Sequence, residues 1–89
     1  MVVVPEPRVA VVMGSDSDWS VMINVLGGPS TGTLADRYPA MLAAQPTAKV
    51  HNYGKSPRPG RKVGHVNAFG ADLDDVMYTA RAAAAFFEG

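Results

Sequence analysis

Between Lys49 and His65 the chain concentrates Lys49, Lys55, Arg58, Arg61 and Lys62, together with both histidines, His51 and His65, and no acid. Arginine offers a planar fork that grips phosphate or carboxylate through two parallel hydrogen bonds; lysine supplies a movable point charge. Pro57 and Pro59 stiffen the stretch, so its cations lose less entropy on closing around an anion. Lys55, Arg58, Arg61 and Lys62 are therefore the candidate phosphate-binding residues. The plainer alternative is a hairpin tip kept solvated by its charges.

A second candidate lies near the N-terminus. The apolar run RVAVVM (residues 8–13) is followed by Gly14-Ser15-Asp16-Ser17-Asp18 and then Trp19-Ser20-Val21-Met22. A strand, a Gly/Ser turn and a helix start form the order in which α/β folds cradle phosphate, with backbone N–H groups and the helix dipole facing the anion. Residues 14–18 would form that cradle; equally, Ser15 or Ser17 is a plain helix cap. His65 has no identifiable triad partner, and a strand histidine bonded to backbone is the commoner case. Asp72, Asp74 and Asp75 suit a helix start better than a magnesium site. The chain has no cysteine, which removes disulfides, thiolate catalysis and cysteine-ligated zinc. No catalytic residue, metal ligand or cofactor is assigned.

The elements that must position these groups read as follows. Residues 1–7, with Pro5 and Pro7 flanking Glu6, form a flexible leader. RVAVVM has the continuous apolar, β-branched pattern of a strand buried on both faces. Val21–Leu26 (VMINVL) suits a strand that stops at Gly27-Gly28-Pro29, which conflicts with a helix starting at Trp19. Thr33–Ala44 looks helical around Leu34, Tyr38, Met41 and Leu42, with Pro39 dividing it in two. Lys49–Tyr53 and Val63–Ala68 alternate and form a hairpin around the basic loop, with Val63, His65 or Val66, and Phe69 competing for the inner face. Ala71–Phe87 is a helix capped by Asp72, with Leu73, Val76, Met77, Ala80, Ala84 and Phe87 as its apolar stripe. Met13, Met22, Met77, Phe69, Phe86 and Phe87 are core candidates, as is Trp19. The expected fold is a small α+β domain: three to four strands, β-rich, crossed by a C-terminal amphipathic helix.

With 89 residues, 47% of them apolar, the chain can build one modest core. Eight basic and eight acidic side chains cancel, which argues against a nucleic-acid or membrane-surface binder. No apolar run approaches a membrane span and no signal peptide is read, so a soluble, cytoplasmic protein is expected.

Two family resemblances then emerge. Residues 8–22, RVAVVMGSDSDWSVM, resemble the first strand and phosphate loop of class I carboxyaminoimidazole ribonucleotide mutase, whose pattern is an apolar strand followed by MGSxSDW. Residues 21–87 resemble the C-terminal domain of carboxyaminoimidazole ribonucleotide synthase, an ATP-grasp ligase; VMINVLG and YGKSPRPGRKVGHVN carry that likeness. The first resemblance implies that Gly14, Ser15, Ser17 and Asp18 help hold a ribose phosphate. The mutase's S-A-H-R-T-P motif and catalytic histidine are missing. The second implies that Lys55, Arg58, Arg61 and Lys62 contribute to the phosphate pocket for aminoimidazole ribonucleotide. The domains that bind ATP, magnesium and bicarbonate in the complete synthase are not in this sequence. The chain looks like the head of one purine-biosynthesis enzyme (residues 8–20) joined to the tail of another (residues 21–89).

The favoured expectation is a synthase-tail domain that binds a ribonucleotide phosphate at best and does not catalyse alone. One alternative is a minimal mutase or carboxylase working through Ser15, Ser17 and Asp18 with His65. Another is a non-catalytic interaction domain associating through the C-terminal helix. Docking to an ATP-grasp body or self-association is expected of a tail domain that exposes a face normally covered.

Overall fold

The computed structural model describes residues 9–13 and 18–88. Strands β1 (Val9–Met13), β2 (Trp19–Leu26), β3 (Lys49–Asn52) and β4 (Lys62–Gly70) form one sheet in the order β1-β2-β4-β3, every neighbouring pair antiparallel. Helix α1 (Tyr38–Ala44), preceded by a 3-10 turn at Ala35–Arg37, leads into β3, and helix α2 (Leu73–Ala85) closes the chain. The result is α+β, as the alternating runs and the C-terminal apolar stripe predict.

Side-chain alternation decides which face of the sheet is covered. Along β2, Val21, Ile23 and Val25 are buried, while Ser20, Met22 and Asn24 are half-buried on the other face. Along β4, Val66 and Ala68 are buried and Phe69 is 61% exposed. Helix α2 packs on β2 and β4 and contributes Val76, Ala80, Ala83 and Ala84 to the core, with Phe87 added just beyond its C-terminal end. Alanines at the contact let its backbone approach the valine-rich sheet closely. Leu34 and Met41 complete the core, and the Tyr38 ring meets that of Phe87 edge-on at 5.9 Å, an arrangement favoured by the ring quadrupoles.

Capping agrees with the sequence. The Asp72 carboxylate accepts a hydrogen bond from the Asp75 N–H at 3.2 Å, satisfying one of the helix's unpaired donors. Asp74 and Asp75 occupy the first turn, where the dipole favours negative charge.

Five expectations need correction. Trp19–Met22 starts a strand rather than a helix: β-branched Val21 and Ile23, paired on both sides, outweigh the turn signal before them. RVAVVM is not covered on both faces, since Val12 is 37% exposed in an antiparallel strand with helices on one side. Phe69 and Met22 are not core residues, because both fall on the face opposite α2. His65 likewise faces away, leaving Val63, Val66 and Ala68 inside. Val63 can be buried beside Gly64 because the register slips between Val25 and Leu26, which pair with Gly64 and Lys62; the extra residue at this bulge turns inward. Finally, the break in Thr33–Ala44 falls before Pro39, which sits in the first turn of α1, where its missing N–H costs nothing.

The leader at residues 1–7 lies outside the described residues. No helix among those described is long and apolar enough to cross a membrane.

Candidate anion-binding site

The segment joining β3 to β4, residues 53–61, is held by backbone hydrogen bonds to the turn that ends β2. Gly27 donates to the Arg61 carbonyl at 2.6 Å, and Arg58 donates to the Gly27 carbonyl at 2.9 Å. Arg61 closes the loop on itself by donating to the Arg58 carbonyl at 3.0 Å. Gly28 has φ +85°, and a Cβ there would lie 3.1 Å from the Pro57 side chain. Both the left-handed backbone and the close contact call for glycine. The sequence signal Gly27-Gly28-Pro29, a strand stop by itself, is therefore also the anchor of the basic loop.

An open groove of about 490 Å³ runs between these two segments, lined by Gly27, Gly28, Pro29, Ser30, Gly32, Pro57, Arg58 and Pro59. A smaller hollow of about 240 Å³ shares Pro57 with the groove, and Lys55 and Leu34 are among its lining residues. Arg58, which lines the groove, and Lys55, which lines the hollow, are both exposed. Arg61 is half-buried and donates a guanidinium hydrogen bond to the Ser56 carbonyl at 3.3 Å, bracing the loop from within. Lys62 starts β4 opposite Leu26. Next to the groove residue Gly32, the Asp36 carboxylate accepts from the Thr33 N–H at 2.9 Å and would meet a Cβ on Gly32 at 2.6 Å.

At the root of the loop, the Tyr53 hydroxyl shares a 2.7 Å hydrogen bond with His65 Nδ1. His51 stacks on His65 at 4.4 Å and 18°. Partial burial, then the positive potential of His51 and Lys62, hold the His65 imidazole below its ordinary pKa; a hydrogen bond to the Asn67 side chain opposes this. Beside it in register is Asn24, whose side-chain oxygen is shielded from solvent without a hydrogen-bond partner. The histidines were visible in the sequence, but their stacking follows from a register that only strand pairing sets.

Of the second candidate cluster only Asp18 is described. Gly14, Ser15 and Ser17 lie outside the described residues, and Asp18 is an exposed residue preceding β2. The basic loop adjoins the opposite end of β2, at Leu26. Seven residue steps at strand rise separate Trp19 from Leu26 by about 23 Å. His65 pairs with Asn24, about 17 Å along the strand from Trp19 by the same rise. Asp18 and His65 are therefore not brought together, nor is Asp18 brought to Lys55 or Arg58.

Among the described residues no group of three His, Cys, Asp or Glu side chains is placed to hold a metal ion.

Residues 20–79 match the family model described as phosphoribosylaminoimidazole carboxylase C-terminal domain. The chain is 45% identical over 67 residues to the N5-carboxyaminoimidazole ribonucleotide synthase of Mycobacterium tuberculosis, covering 73% of this chain and 16% of that protein. It is 35% identical over 71 residues to the phosphoribosylaminoimidazole carboxylase of Ogataea methanolica, covering 80% and 13% respectively. The carboxylase ATPase subunit of Aquifex aeolicus superposes with a TM-score of 0.58 at 29% identity, over 76% of this chain and 20% of that one. The ATP-complexed synthase of Aspergillus clavatus gives 0.59 at 26% identity, over 78% and 18%. The chain thus spans about a sixth of the length of the bacterial synthase it matches. By the match across β2, the basic loop and β4, it belongs to the phosphoribosylaminoimidazole carboxylase C-terminal domain family.

Proposed function

We propose that the chain is a phosphate-gripping tail domain of the carboxyaminoimidazole ribonucleotide synthase type, acting in purine biosynthesis and not catalysing alone. The observation that carries this reading is the basic loop pinned to Gly27, which holds Arg58 on an open groove and Lys55 on the adjoining hollow. A pre-set loop spends little conformational entropy when an anion arrives. Arg58 offers the fork, Lys55 the movable charge, Lys62 lends positive potential from the strand, and Arg61 shapes the loop while adding charge.

Its ligand is the ribose phosphate of aminoimidazole ribonucleotide, and its physical partner is an ATP-grasp body; the longer relatives support that pairing. Residues 8–20 are the mutase-like head of a fusion, a reading supported by RVAVVMGSDSDW and by a family match that begins only at residue 20. Gly14, Ser15, Ser17 and Asp18 are then a second, separate phosphate loop. A one-chain mutase using Asp18 with His65 is disfavoured by the length of β2 between them.

Isothermal titration with ribose 5-phosphate and with aminoimidazole ribonucleotide tests the reading. Binding that weakens by about tenfold or more in Arg58→Ala and Lys55→Ala supports it, since charge-assisted hydrogen bonds are worth about 1.5–3 kcal/mol. Binding unchanged in both variants, or absent from the folded parent chain, overturns it.

A further inference from the structure

The two edges of the sheet differ in a way that bears on assembly. On one side β3 is short, carries Lys49 and His51, and leads into the proline-containing basic loop. Short, charged edges of this kind resist pairing with other chains. On the other side β1, Val-Ala-Val-Val-Met, has no charge, proline or glycine, and its register with β2 runs without a bulge. Among the described residues β1 pairs with β2 alone. The family match begins at residue 20, so β1 lies outside it, and among the described residues β1 forms the sheet edge.

We propose that β1 pairs antiparallel with β1 of a second copy of this chain, joining two sheets into one continuous eight-stranded sheet about a two-fold axis. The occupant is a second copy because the strand complements itself. Centred on Val11, the pairing sets Ala10 opposite Val12 and Val9 opposite Met13, with apolar residues at every position and no like charges facing. A two-fold axis requires that self-complementarity. The chain's formal charge of zero imposes no long-range repulsion between copies. Val12, 37% exposed, would gain cover from the partner's Ala10.

Sedimentation equilibrium of the full chain from micromolar to submillimolar concentration tests the proposal. The expected result is a concentration-dependent rise toward twice the 9.4 kDa chain mass, with the β1 amides that point away from β2 protected from hydrogen exchange only where the dimer is populated. Val12→Lys should weaken association by about tenfold, because a lysine on an edge strand opposes pairing. The dispersion of β2 and β4 amide signals reports whether that variant remains folded. A monomer at every concentration overturns the proposal, whether β1 amides exchange freely or are covered by the chain's own residues. So does a dimer that a folded Val12→Lys leaves intact, which would place the interface elsewhere. Phosphate binding is read separately, so failure of either reading leaves the other standing.

Discussion

His51 and His65 lie ring against ring, 4.4 Å apart and 18° from parallel, because they are direct partners in the β3–β4 register. The stack stands at the foot of the basic loop, where Tyr53 joins it through the hydrogen bond to His65. The hairpin that presents the cations is therefore held by a cluster that is itself sensitive to protonation.

The sign of that sensitivity follows from the depressed His65 pKa. The folded chain disfavours the imidazolium, so at a pH above the unfolded value of about 6.5 the group imposes no penalty. As the pH falls from there through the folded pKa, the unfolded chain binds more protons and the fold loses stability. The thermal midpoint should fall between pH 7.5 and 5.5, and His65→Gln should reduce that fall. An equal fall in the variant would assign the effect to other groups.

Gly64 is a second load on the same hairpin. A Cβ there would stand 2.5 Å from the His51 carbonyl and 3.2 Å from a Leu34 methyl. Backbone cannot yield as a flexible side chain does, so Gly64→Ala should cost about 1–3 kcal/mol, the usual penalty of overpacking. Urea denaturation measures it, and a neutral result would mean that β3 moves freely.

Core and cap give two further expectations. Phe87 is fully buried against the edge of Tyr38, so Phe87→Ala should lose about 3–5 kcal/mol. That is a large part of the 5–15 kcal/mol typical of a folded chain. By comparison, Asp72→Ala should cost about 1 kcal/mol by removing the acceptor for the Asp75 N–H. A cap variant as damaging as the core variant would reverse this ranking of α2's supports.

The contrast between α2 and β2 shows what a sequence can reveal. Helix α2 announces itself because cap, first-turn acids and apolar stripe all point one way. Strand β2 hides its alternation, since Met22 and Leu26 are apolar residues on the open face. The same disguise made RVAVVM look covered on both sides and Phe69 look internal: an uncovered apolar position reads like a core position until the sheet shows where its helices lie. The cations of the basic loop were legible by composition. The anchor at Gly27 depends on backbone bonds between segments about thirty residues apart, which local pattern does not encode, and the bracing of the loop by Arg61 depends on its turning back to Ser56.

The phosphate grip of the basic loop is tested most directly by a two-dimensional amide NMR titration with aminoimidazole ribonucleotide, using ribose 5-phosphate as the simpler probe. The predicted result is dispersed signals with shifts confined to residues 27–32 and 53–62, lost in Arg58→Ala while the rest of the spectrum stays in place. Shifts at Asp18 and the start of β2 instead, or a dispersed spectrum that does not move, would contradict it.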